Sequence, residues 1–193
     1  MTSLLVCRHG TTDWNIEGRY QGQSDVPLNE QGMHQAETLA DELALTPVDA
    51  IYSSGLQRAV RTAEATARRH TLEVQRDPRF NEVNLGAWEG LTLPEILKTY
   101  PKEHAFWVDH PMESRPPGGE SIAEVVTRVR EALADIALAW PDGSVVIVTH
   151  KVTMNVIQSL TTGEPLEQVL QVFPVNASVI HLELELPLVP AGC

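Results

Sequence analysis

Leu4-Leu5-Val6-Cys7-Arg8-His9-Gly10 is a continuous apolar run that ends abruptly in a cation, an imidazole and a glycine. Four apolar residues without polar alternation suit a strand buried on both faces of a sheet. A second stretch repeats the pattern: Ser144 to Thr149 is rich in Val and Ile and closes on His150, the composition of a buried strand. Between and after these runs the periodicity changes. Met33, Ala36, Leu39, Ala40 and Leu43 recur at helical spacing behind Pro27, Asn29 and Gly32, which mark a turn and a helix start. Ala50-Ile51-Tyr52 is a short strand candidate, followed by an Ala- and Arg-rich stretch to Arg68 without Gly or Pro, hence helical. Ser121 and Glu124 form a capping box ahead of a face traced by Ile122, Val125, Val126, Val129, Leu133 and Ile136, the strongest helix in the chain. Val152 to Leu160 reads as a helix directly after His150, and Ser178 to Leu184 as an alternating final strand.

Strands separated by helices imply βαβ units with right-handed crossovers, so the expected fold class is α/β: a three-layer αβα sandwich, its sheet mostly parallel with helices on both faces. Ligands of such sheets bind beyond the carboxyl ends of the strands. That rule brings His9 and His150 to one rim. The chain of 193 residues fits one domain spanning 1–193, since this length buries one core without splitting. Residues 84–119 hold Pro94, Pro101, Pro111, Pro116, Pro117, Gly118 and Gly119 among short helical patches such as Leu93 to Tyr100, and read as a lid-like excursion from the core.

The hydrophobic fraction of 42% and charged fraction of 21% are those of an ordered globular protein. A net charge of −12 opposes general binding to nucleic acid or anionic lipid, which requires surplus Lys and Arg. An anionic substrate therefore needs a local basic island. Cys7 and Cys193 form neither a CxxC motif nor a disulfide framework, and no apolar run is long enough to span a bilayer. A cytoplasmic setting without a membrane partner is expected. His104 and His110 flank Asp109, but the spacing fits no standard metal site.

The blocks Arg8-His9-Gly10-Thr11-Thr12-Asp13-Trp14-Asn15, Arg19-Tyr20-Gln21-Gly22, Gln57-Arg58-Ala59, Glu82, Gly86-Ala87-Trp88-Glu89-Gly90, Gly118-Gly119-Glu120-Ser121 and Val148-Thr149-His150 follow one another through almost the whole chain. This ordered set resembles the histidine phosphatase (phosphoglycerate-mutase-like) superfamily. The resemblance implies a metal-independent phosphomonoesterase, without cofactor, that hydrolyses a small phosphorylated metabolite through a phosphohistidine on His9. By the same resemblance Arg8 and Arg58 bind phosphoryl oxygens with their donor forks, and His150 as imidazolium stabilises developing charge. Glu82 is the general acid and base. Asn15, Gln21 and Gly22 line the phosphate pocket, although Asn15 also reads as a loop cap and Gln21 as a solvated side chain. An attacking imidazole must keep the proton of its other nitrogen on a nearby acceptor, such as a backbone carbonyl.

Gln21-Gly22, the Glu82 to Gly90 segment and the short chain favour the phosphatase branch over a cofactor-dependent phosphoglycerate mutase. The intact set Arg8, His9, Arg58, Glu82 and His150 disfavours a catalytically weak binding or regulatory module. Within the branch the chain is most similar to metal-independent phosphoserine phosphatases, then α-ribazole and broad-specificity phosphatases. Leu85 stands where phosphoserine enzymes use a His, and it offers nothing to a carboxylate. Lys151 replaces a common Gly and is expected either to be tolerated by the backbone or to add a substrate-binding cation at the mouth. A homodimer is left open.

Overall fold

The computed structural model describes residues 1–188, so Cys193 lies outside the described residues. Five strands form one sheet in the order β3-β2-β4-β1-β5: β1 (Thr2–Arg8), β2 (Ala50–Ser53), β3 (Val74–Arg76), β4 (Ser144–Thr149) and β5 (Val179–Leu184). β1, β2, β3 and β4 run parallel, and β5 closes one edge antiparallel to β1. The two histidine-terminated strands are neighbours with Arg8 opposite Thr149. One residue further on, His9 and His150 leave the sheet side by side.

The unalternated runs are explained by burial on both faces. Leu4 and Val6 of β1 and Val145 and Ile147 of β4 enter one apolar cluster, whereas Leu5, Cys7, Val146 and Val148 enter the opposite one. The first face is covered by α6 (Ile122–Ala139) and α7 (Lys151–Thr162) through Val129, Leu133, Ile157 and Leu160. α2 (Glu30–Leu43) and α3 (Gln57–His70) cover the second with Leu39, Leu43, Ala59 and Ala63. Each such side chain contributes about 1.5–3 kcal/mol when Val-sized or larger. Small residues set the α2–α3 spacing: Ala36, Ala40 and Ala65 pack together in a cluster of their own. The result is the expected mixed α/β layering.

The capping box at α6 forms, Ser121 accepting from Glu124 N and Glu124 accepting from Ser121 N at 2.8 Å. Met33, expected on the apolar face of α2, is instead half exposed, because Gly32 is the residue turned inward. A Cβ at Gly32 would stand 2.0 Å from Thr11 O, so the helix packs there backbone to backbone. Residues 84–119 contain α4 (Leu93–Thr99) and α5 (Pro101–Asp109). Trp88 and Ile96 of this segment are fully buried in the main core, while α5 buries no residue. α1 (Asp13–Glu17), β3, α5 and α8 (Leu166–Val169) escape sequence reading because each is short or lacks an apolar face.

Candidate active site

β1 and β4 deliver the two imidazoles with ring centroids 5.1 Å apart. His9 is buried, and its backbone N–H donates to Thr149 O at 3.0 Å. Its Nδ1 donates to Gly10 O at 2.7 Å. A carbonyl only accepts, so Nδ1 carries the proton and Nε2 keeps its lone pair. Burial first, then Arg58 and Arg8, hold the His9 pKa well below the usual histidine value. The imidazole is thus held neutral, with the Nε2 lone pair free.

Arg58 comes from the first turn of α3 and is 1% exposed. Its Nη1 donates to Ser24 O and its Nη2 to Gly22 O, both at 2.7 Å. Burial lowers its pKa to about 10, against the pull of Glu82 and Asp25, so it remains a cation. Arg8, at the end of β1, donates from Nη1 to Pro174 O at 2.5 Å. The Nε groups of both arginines are buried without a protein acceptor, as is His150 Nδ1. Leaving a buried donor unpaired costs about 1–3 kcal/mol each. His150 Nε2 lies 2.8 Å from Ser54 Oγ. At His150, expected to be an imidazolium facing phosphoryl oxygens, burial, then Arg58 and His9, push the pKa well below the ordinary value. Two cations and a buried environment oppose a third charge.

Glu82 approaches from the loop after the turn Pro78–Phe80. Its Oε1 accepts from Val83 N at 2.9 Å and its Oε2 from Val152 N, in the first turn of α7, at 3.2 Å. Thr12 ties two further candidates to the loop after β1. Its hydroxyl lies 3.1 Å from both Asn15 Oδ1 and Gln21 Oε1, which directs the oxygen ends of both amides to Thr12 and leaves their NH₂ ends as donors. Asn15 is therefore a cap residue of α1 as well as a pocket residue. Lys151 sits with Nζ 3.1 Å from the centre of the Phe173 ring, and burial lowers its pKa to about 8.

Arg8, His9, Asn15, Gln21, Gly22, Arg58, Glu82 and Lys151 all line one cavity of about 360 Å³. His150 stands behind it against His9. Ser54, Glu89, Glu120 and Arg128 were missed as site residues. Glu89 accepts from Gln23 N at 2.8 Å and Ser24 Oγ at 2.6 Å, which holds the loop whose carbonyls grip Arg58. Glu120 pairs with Arg128 at 3.0 Å, and Arg128 donates to Glu82 O at 3.2 Å. Glu89, Glu120 and Arg128 act on backbone, so no periodicity announces them; Glu89 and Glu120 fall in the ordered blocks, and Arg128 falls in none of them. Arg61, Arg68 and Arg69 form surface ion pairs with Glu64, Glu37 and Asp41 and stay out of the site. His104 packs on Trp88 and His110 on Phe106. Among the described residues no three His, Cys, Asp or Glu side chains converge as a metal site.

The model of the histidine phosphatase superfamily (branch 1) matches residues 4–186. The chain is 37% identical over 185 residues to "Phosphoserine phosphatase 1" of Hydrogenobacter thermophilus, covering 95% of this chain and 88% of the relative. Among solved structures, Bacillus stearothermophilus YhfR superposes with a TM-score of 0.88 at 31% identity, covering 100% of this chain and 98% of that one. A mycobacterial glucosyl-3-phosphoglycerate phosphatase in complex with VO3 superposes with a TM-score of 0.85 at 33% identity, covering 94% of this chain and 90% of that one. Family model, relatives and site geometry agree, and the chain belongs to the histidine phosphatase superfamily, branch 1.

Proposed function

We propose that this phosphomonoesterase works by double displacement on His9, with Glu82 moving the protons. The observation that carries the reading is the group of buried donors without protein acceptors, Arg8 Nε, Arg58 Nε and His150 Nδ1, set around a neutral imidazole. Such donors suit a tetrahedral dianion, whose oxygens satisfy them all.

In the first step His9 Nε2 attacks phosphorus, the P–N bond forms as the P–O bond breaks, and protonated Glu82 gives its proton to the departing oxygen. Arg8 and Arg58 neutralise the equatorial oxygens, with the amides of Asn15 and Gln21 as neutral donors. Gly22 acts through its carbonyl, which orients Arg58. The incoming dianion reverses the local field at His150, so a proton taken up there becomes favourable on binding. In the second step Glu82 accepts a proton from water as the water attacks phosphorus, the P–N bond breaks, and inorganic phosphate leaves. Residues 84–119 act as the lid, with Trp107 on the pocket wall. The substrate is a small phosphorylated metabolite met in the cytoplasm; Cys7, a free thiol that burial pushes up to about 12, suits that setting. Among the described residues no helix is long and apolar enough to cross a membrane.

The test is trapping. Rapid alkaline quench after mixing with a ³²P-labelled monoester should leave label on the unaltered protein and none on His9→Ala. Label persisting on the variant would remove His9 as the acceptor.

A further inference from the structure

The cavity that holds His9 does not end at the phosphate site. Trp107, Lys151 and Val152 line both it and a second cavity of about 430 Å³. The second cavity lies between the end of α5 and α8 with the two residues that follow it, and it presents Asp109, Glu167 and Gln171. Trp107 is held edge-on against Trp88, centroids 5.9 Å apart, which fixes an aromatic wall at the junction. Among the described residues the side chains of Asp109, Glu167 and Gln171 have no hydrogen-bond partner, and Lys151 Nζ stands over the Phe173 ring.

We infer that this second cavity is the leaving-group chamber and that it takes a neutral, hydroxyl-rich leaving group, a sugar or polyol. The inference rests on the phosphatase reading and deepens it. Charge decides between the classes. A leaving group crosses the junction beside the Lys151 ammonium, with Arg8 behind it, and a cationic group is repelled there. Beyond the junction it meets Asp109 and Glu167, which repel a carboxylate. At the phosphate end the further cation on the wall, Arg19, is already paired with Glu17 and Glu95, and Val83 and Leu85 offer a second anion nothing. A polyol satisfies both ends: its oxygens accept from Lys151, its hydroxyls donate to the two carboxylates and to the Gln171 carbonyl, and its C–H face packs on Trp107. Sites built to bond hydroxyls discriminate strongly against ligands lacking them, since their polar groups are then left unpaired.

The experiment compares kcat/KM for glucose 6-phosphate and sorbitol 6-phosphate with that for phosphoserine, 3-phosphoglycerate and phosphocholine, each relative to p-nitrophenyl phosphate. The sugar and polyol esters should lead by about 10-fold or more. In Asp109→Asn/Glu167→Gln, surface changes that keep shape, the ratio of sorbitol 6-phosphate to p-nitrophenyl phosphate should fall about 10-fold. In Glu167→Lys the ratio for 3-phosphoglycerate should rise. A lead for phosphoserine, 3-phosphoglycerate or phosphocholine, or a sorbitol ratio unmoved by the double variant, overturns the inference while the phosphatase reading stands. Failure of the unaltered protein to hydrolyse even p-nitrophenyl phosphate overturns both.

Discussion

Glu82 is gripped by backbone at both oxygens, from Val83 N and Val152 N, and this fixes the carboxyl group that the proposed mechanism has trade one proton with substrate and water. An alkoxide leaves poorly without that proton, whereas nitrophenolate needs none. Glu82→Gln should therefore slow single-turnover cleavage of an alkyl phosphate by on the order of 10² to 10⁴, with a much smaller loss in the pre-steady-state nitrophenolate burst. The burst is the measurement to make, because steady-state rates mix in the second step, in which Glu82 is the proposed base. Equal losses in the first step for both esters would mean that Glu82 only shapes the pocket.

Between elements, what aims Arg58 is a loop rather than a helix. The 22–24 turn holds the guanidinium by its carbonyls and is itself held by Glu89. Gly22 is central to that arrangement, with φ +51° and a would-be Cβ only 2.2 Å from Glu89 Oε1. Gly18 has φ +68° with nothing within 4 Å of its would-be Cβ, and so supplies the control. Gly18→Ala should lose roughly 1–2 kcal/mol of stability from left-handed strain alone and keep its kcat/KM. Gly22→Ala should lose more stability and, by displacing Glu89 and with it Arg58, lower kcat/KM for p-nitrophenyl phosphate by about 10-fold or more. Urea melts and initial rates separate the two; equal behaviour of the variants would show that Glu89 does not hold the site.

Across the whole molecule the net charge is −12, yet Arg8, Arg58 and Lys151 share a wall with a single carboxylate, Glu82. The surface arginines of α3 are paired with acids, so the positive potential is concentrated where a phosphoryl group binds. In the proposed mechanism two buried guanidinium groups supply the charge neutralisation that a divalent metal gives other phosphatases. Turnover should accordingly be unchanged after prolonged dialysis against excess chelator, and vanadate should inhibit at concentrations well below KM as a mimic of the trigonal bipyramid. Activity lost to chelator and restored only by Mg²⁺ or Zn²⁺ would defeat this account.

The sequence by itself determined the layered α/β architecture and the convergence of His9 and His150. Both follow from local pattern: the apolar runs of β1 and β4 can only be buried on two faces, and parallel strands place their carboxyl ends on one rim. Arg8, Arg58 and Glu82 were legible from the ordered motif blocks, since the side chains themselves carry that signature. Tertiary structure alone decided what holds them. Glu89, Glu120 and Arg128 act on the backbone of distant segments, Met33 yields the α2 face to Gly32 because of an approach by the Thr11 backbone, and the lowered pKa of His150 follows from burial beside Arg58. The second cavity is likewise lined in part by α5 and α8, elements too short or too polar to announce themselves, beside Lys151. Periodicity records which face of an element is buried; it does not record which loops, far apart in the chain, will share one carboxylate or one electric field.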